Sequence, residues 1–310
     1  MPNPFLRGAP RPPRPLVVGH RGAMGLRPEN TLESFELAFD LGSDLVELDV
    51  HLTRDGQAVV IHDDTLERTT DVAARGPRSG HVHVSDLTLK ELQELDAGRW
   101  FVEGLGRTPA APHGPTPAER QAHLDAGTLA HLASGKVRPP SLEEVLRLVV
   151  RRDRRVNVEL KLQPRRYEGL VEVVVALIRR LKVEERVVLS SFDHEALAHA
   201  KRLAPELPGA VLSVERLHRP GRYVAEVVGV DGWNPGCIGE ADALGFGSVA
   251  FAAKGEAALD HAAIADARAP GLPVQAWTAN DDVRLRGLVA LGVDGIITDF
   301  PNRLTALLRK

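Results

Sequence analysis

Cysteine is nearly absent. Cys237 is the only one in 310 residues, which excludes an internal disulfide and any cysteine-built zinc cluster and marks the residue itself as an inert small side chain. An excess of one charge is missing too. Lys and Arg number 39 against 42 Asp and Glu, a formal net charge of −3, so the sequence offers no basic footprint for nucleic acid. No apolar run approaches the roughly 18–20 residues that would span a bilayer, so no transmembrane segment is expected. Met1 to Pro15 is rich in Pro and Arg and lacks an apolar centre. It is therefore not expected to act as a secretory signal, and the expected location is the cytoplasm. What is present, 43% hydrophobic and 26% charged residues, suits a folded globular chain rather than a disordered one. The length fits one domain of roughly 250 residues plus an insertion, or two ordinary domains.

Short apolar runs alternate with helical patterns, the arrangement of an α/β protein with mostly parallel strands. Strands are predicted at Leu16–His20, Leu45–Leu52, Ala58–His62, Val156–Leu162, Val187–Phe192, Ala210–Val214, once between Val227 and Phe251, and at Val274–Thr278 and Gly295–Asp299. Leu32, Phe35, Ala38 and Phe39 follow the spacing of a buried helical stripe, with Asn30 or Thr31 as cap. Ser141-Leu142-Glu143-Glu144 is a capping box opening a second helix, and Leu170 to Leu181 is a third. About eight strands with intervening helices point to a closed (β/α) barrel, with an open doubly wound sheet as the alternative.

Two connections break the alternation. Thr53-Arg54-Asp55-Gly56-Gln57 is too short for a parallel crossover, so it is expected to close an antiparallel hairpin. Residues 63–138 carry no strand pattern, hold one clear helix near Thr88–Leu95, and read as an inserted cap or lid between barrel residues 1–62 and 139–310. Within them, Gly104 to Pro117 has the composition of a mobile stretch.

Four strand ends concentrate ionisable groups where a barrel normally buries aliphatic ones. Gly19-His20-Arg21-Gly22 offers an acid/base, an anion clamp and room for a ligand near the backbone. Glu47 and Asp49 share one strand face, which is costly in an apolar sheet unless a cation or hydrogen bonds compensate. Such hard oxygen ligands suit Mg²⁺ or Ca²⁺. Across the expected hairpin, His62 falls opposite Glu47 or Asp49, depending on whether the turn carries a bulge. Glu159 and Lys161 add a third carboxylate and a cation on one face of a later strand. A divalent cation, a phosphate and an acid/base pair account for this set.

The order of the motifs resembles the glycerophosphodiester phosphodiesterases. The matching pieces are His20-Arg21-Gly22, Pro28-Glu29-Asn30-Thr31, Glu47-Leu48-Asp49, His62-Asp63, Pro140-Ser141-Leu142-Glu143-Glu144-Val145, Val158-Glu159-Leu160-Lys161, Trp277-Thr278-Ala279-Asn280 and Gly292 through Pro301. They run from about Leu16 to Leu308. The resemblance implies a TIM-type (β/α)8 barrel with a small inserted cap, one bound divalent cation, and hydrolysis of glycerophosphodiesters to glycerol 3-phosphate and an alcohol. It further implies His20 and His62 as general acid/base pair, Glu47, Asp49 and Glu159 as metal ligands, Arg21 and Lys161 on the phosphate, and Trp277 along the substrate pocket. Residues 104–135 depart from the pattern by their length and their Pro, Ala and His content.

Other readings carry less. A lysophospholipase D or sphingomyelinase D-like activity on the same site would want an apolar groove, which Gly104 to Pro117 hardly supplies. A silent phosphate-ester binding protein would have no need of an acid/base pair. His81, His83, His113, His123, His131, His194 and His199 lack ligand spacing and read as surface residues. Glu29 and Asn30 read as pocket-shaping loop and cap residues, and Asp299 ends the last strand with no evident partner. The partner expected is thus a small-molecule substrate. Oligomeric state is not legible.

Overall fold

A computed structural model of the protein describes residues 3–76, 80–105, 114–236 and 259–309. Its centre is a ring of parallel strands, β1 (Leu16–Gly19), β2 (Leu45–Leu52), β4 (Arg155–Leu160), β5 (Val187–Ser191), β6 (Gly209–Ser213), β7 (Gly232–Pro235), β8 (Gln275–Ala276) and β9 (Gly295–Thr298). They are hydrogen-bonded in the order β7-β6-β5-β4-β2-β1-β9-β8. Parallel bridges from Trp233 to Val274 and from Gly236 to Trp277 join the two ends. The ring is therefore closed, a barrel and not an open sheet. The short strand β3 (Ala58–Val60) pairs antiparallel with β2, as its tight connection requires.

Alternation along the strands divides outside from inside. Val46, Leu48 and Val50 of β2 point outward into the apolar layer shared with the helices, while Leu45, Glu47 and Asp49 point inward. Thr31, not Asn30, caps helix Leu32–Asp40, its hydroxyl accepting from Ser34 N, and the helix buries Phe35, Ala38 and Phe39. Helix Leu142–Arg151 opens on the Ser141–Glu144 capping box and buries Val145, Leu146 and Val149. Each such fully buried aliphatic side chain contributes about 1.5–3 kcal/mol.

The amino-terminal arm crosses the end of the barrel away from the ionisable strand ends. Phe5, 2% exposed, packs with Val18, Leu45, Val188, Ala210 and Ile297 as the barrel floor. Asn3 Nδ2 donates to Val187 O at 2.9 Å, Gly8 N to Gly271 O at 2.9 Å, and Arg11 Nε to Asp294 at 2.6 Å.

Between β3 and helix Leu142–Arg151 the chain forms short helical pieces. The expected helix is Leu89–Leu92 with Thr88 as cap. Helices Arg99–Leu105, Pro117–His123 and Ala126–Leu132 accompany it. Their apolar positions are too few to show a period in the sequence, but Thr116 and Asp125 cap the last two. One small core joins Val59 and Ile61 to Leu66, Val72, Val84 and Leu92, and a second joins Phe101, Leu124, Leu132 and Val137. Cys237, His113, most of the stretch expected to be mobile and part of the run containing β7 lie outside the described residues.

Candidate active site

The register of β2 on β4 sets Glu47 beside Asn157 and Asp49 beside Glu159. Because all three acids point inward, one carboxylate oxygen from each of Glu47, Asp49 and Glu159 lies within 4.8 Å of the others. They are 4%, 1% and 8% exposed. Burial, then the charges of Asp49 and Glu159, push the Glu47 carboxyl up to about 8. Asp49 goes the other way. Burial alone would raise it, but His62, Arg21 and Lys161, with the Asn30 amide, hold it below the usual carboxylate range. Its Oδ1 is buried without a hydrogen-bond partner, with Lys161 Nζ at 3.6 Å. An orphaned carboxylate oxygen among three hard donors fits a divalent cation.

Two side-chain cations border the acids. Arg21, at φ 46°, donates its backbone N–H to Glu47 at 2.9 Å and a guanidinium N–H to Glu29 at 2.9 Å. Its Nε stands 3.4 Å from Asp49. Lys161 donates to Glu159 at 2.8 Å. Glu29 and Asn30, in the loop before helix Leu32–Asp40, both reach these charges. Burial would raise Glu29, but Arg21 and Arg68 bring it down to about 2, and Asn30 Nδ2 donates to Asp49 at 2.8 Å. The space around Gly22, at φ 89°, is not left for a ligand. A Cβ there would meet Ser34 Oγ at 2.4 Å, so the glycine admits helix Leu32–Asp40.

Both histidines carry a carboxylate on Nδ1. His20 Nδ1 meets Asp299 Oδ1 at 2.6 Å, and Asp299 is gripped by Asn280 through Nδ2 at 2.7 Å and Oδ1 at 2.9 Å. Burial and Arg21 would lower His20, but Asp299 and Glu47 outweigh them and raise it to about 9. His62 Nδ1 meets Asp63 Oδ1 at 2.6 Å, and Arg68 Nε donates to Asp63 Oδ2 at 2.6 Å. Among the described residues no hydrogen bond engages either Nε2.

The position of His62 departs from expectation. Val50 pairs with Val60 and Leu52 with Ala58, so Asp49 faces Ile61, whose N–H donates to Asp49 O at 3.0 Å. His62 is opposite neither Glu47 nor Asp49. The loop Thr53 to Gln57 closes through a bulge in which Gly56, at φ 72°, and Gln57 both oppose Thr53, and the ladder ends at Val60. The chain then turns, held by the buried His51, whose Nε2 donates to the His62 carbonyl at 2.9 Å.

Residues 20–303 match the model of the Glycerophosphoryl diester phosphodiesterase family. The chain belongs to this family. It is 33% identical to a glycerophosphodiester phosphodiesterase of Bacillus altitudinis over 93% of this chain and 95% of the relative. One from Caldanaerobacter subterraneus is also 33% identical, over 95% and 98% respectively. A phosphodiesterase of Oleispira antarctica, solved in complex with the product sn-glycerol 3-phosphate, superposes with a TM-score of 0.68 at 26% identity, covering 96% of this chain and 98% of that one.

In this member of the glycerophosphoryl diester phosphodiesterase family, Trp277 lies half-buried just past β8, its indole N–H donating to Asn234 O at 2.8 Å and its ring edge-on to Phe192 at 5.5 Å. His194 is not a free surface residue: it bridges the Tyr223 hydroxyl at 2.8 Å and the Leu212 carbonyl at 2.9 Å. Sequence reasoning missed the role of Asp299. Barrel closure supplies the signal, because β1 lies beside β9 with Gly19 opposite Thr298, which makes His20 and Asp299 neighbours. His51 and Arg68 left no such signal. No described helix is long and apolar enough to cross a membrane.

Proposed function

We propose that this chain hydrolyses glycerophosphodiesters to glycerol 3-phosphate and an alcohol with the aid of one divalent cation, Mg²⁺ or Ca²⁺. The observation that carries this reading is the pairing of a buried three-carboxylate cluster with two histidines, each backed by its own aspartate. Glu47, Asp49 and Glu159 would hold the cation, which when bound offsets charge on the phosphate. Arg21 and Lys161 now balance the acids by ion pairs and would turn toward phosphate oxygens once the acids are otherwise balanced. Asp299 and Asp63 fix the Nδ1 proton of His20 and His62, so each ring presents Nε2. One accepts a proton from the nucleophile and the other gives one to the departing alkoxide. The nucleophile is water or the neighbouring glycerol hydroxyl, whose attack would gain from proximity. Trp277 forms the wall for the carbon side of glycerol. Residues 63–138, rooted at the catalytic rim after His62, act as a cap on the alcohol side.

The test is release of glycerol 3-phosphate from glycerophosphocholine by the purified protein. Activity should vanish with excess EDTA and return with Mg²⁺ or Ca²⁺. Full activity in EDTA removes the cation from the reading, and no release under any metal removes the activity.

A further inference from the structure

Each histidine is oriented by an aspartate, and each aspartate is held by a side chain tied to the segment between β3 and helix Leu142–Arg151. On the His62 side the tie is Arg68. Its guanidinium donates to both oxygens of Asp63, at 2.6 and 3.0 Å, and to both oxygens of Glu29, at 2.8 and 2.7 Å. Glu29 in turn holds Arg21. On the His20 side the tie is longer. Glu119, in helix Pro117–His123, accepts from Arg303 Nε at 2.8 Å and Nη2 at 2.6 Å, and from Asn302 Nδ2 at 2.8 Å. Arg303, stacked 3.6 Å over the Phe300 ring, donates Nη1 to the Asn280 carbonyl at 2.8 Å. Asn280 grips Asp299, which grips His20. The Glu119 and Arg303 side chains are 11% and 20% exposed. Forked arginine–carboxylate pairs of this kind fix direction as well as distance.

We propose that this segment sets the orientation of both histidines, Arg68 acting on His62 through Asp63, and Glu119 acting on His20 through Arg303, Asn280 and Asp299. Arg68 and Glu119 are positioning residues. The inference rests on the acid/base roles proposed above and goes beyond a cap that only selects the alcohol. On this view, replacing residues 104–135, which include Glu119, slows the reaction itself.

The experiment compares Arg68→Ala, Arg68→Lys and Glu119→Gln with the unaltered chain. Arg68→Ala and Glu119→Gln should each lower kcat for glycerophosphocholine by about 10- to 100-fold, since small misplacements of a reacting group have effects of that order. KM should move by no more than a few-fold. Because Arg68 is 44% exposed, millimolar guanidinium should restore part of the Arg68→Ala loss, whereas Arg68→Lys, a point charge without the fork, should remain slow. A readout free of turnover is the low-field ring N–H resonance of each histidine, assigned with His20→Gln and His62→Gln. Glu119→Gln should broaden that of His20 alone, and Arg68→Ala that of His62 alone. If Arg68→Ala does not fold, Asp63→Asn breaks the same link. Unchanged kcat with both resonances unmoved overturns the proposal, as does a loss that Lys fully repairs and guanidinium does not. A wild-type protein that releases no glycerol 3-phosphate instead overturns the proposed activity, while the ring resonances still decide the bracing.

Discussion

Three carboxylates in one buried cluster repel each other, and the two nearby cations offset this unequally. Lys161 reaches Glu159 and Asp49, while Arg21 gives Glu47 only its backbone N–H. Burial, then the charges of Asp49 and Glu159, push the Glu47 carboxyl up to about 8, and a cation seated among the acids would offset that repulsion. On the acid/base side, His20→Ala and His62→Ala should each reduce kcat by roughly 10²–10⁴-fold. The double variant should fall by much less than the product of the two, because paired groups act as a unit. Steady-state rates with glycerophosphocholine decide it, and a few-fold loss in either single variant removes that histidine from the chemistry. The three carboxylates were legible because strand alternation sets them on an inward face. Asp299 was not, since what defines it is a partner 279 residues away, reached only through the closed fold, and Arg68 was not, since its second partner, Glu29, lies 39 residues upstream in another loop.

Among the elements, boundaries followed the local chemistry closely where capping and apolar period agreed, as at Leu142–Arg151, and loosely where neither was strong. β3 stops at Val60 because the chain turns away from β2 after Ile61, held at the His62 carbonyl by His51, a tertiary event that no local pattern encodes. Helix Pro117–His123 has no buried residue of its own, so polar ties hold it, Glu119 on Arg303 and Asn302 and the His123 carbonyl on Arg27 at 2.6 Å. Burial would raise the Glu119 carboxyl, but Arg303 and Asn302 lower it from 4.5 to about 2. A depressed carboxylate contributes stability that is complete above its unfolded value and disappears as pH falls through its folded one. Glu119→Gln should therefore melt below the unaltered protein at pH 7. The gap should narrow between about pH 4.5 and about pH 2, followed by calorimetry across that range. A gap independent of pH would mean that the ion pair does not anchor the helix.

For the whole molecule, eight parallel strands were readable as a count and pointed to a closed barrel, which the order of motifs also implied. Periodicity alone left the open sheet as alternative, because closure rests on pairing between β7 and β8 that involves no more than bridges. The floor was unreadable, since an arm rich in Pro and Arg gives no hint that its single buried Phe fills a barrel. Phe5→Ala should destabilise the protein by about 3–5 kcal/mol, measured by denaturant unfolding, with kcat within a few-fold of wild type because the site lies at the opposite end. A loss under 1 kcal/mol, roughly the size of a surface effect, would show that the floor does not depend on it. The arm has a further consequence during synthesis. Translation delivers it early, yet Arg11 must wait for Asp294, 283 residues downstream, and Asn3 for Val187. Until β9 has left the ribosome, Phe5 has no complete seat and Val18 and Val188 stay wet. Sequence-distant closure of this kind is slow and leaves apolar surface open to aggregation, so the nascent chain carries its floor early and gains the wall that seats it last.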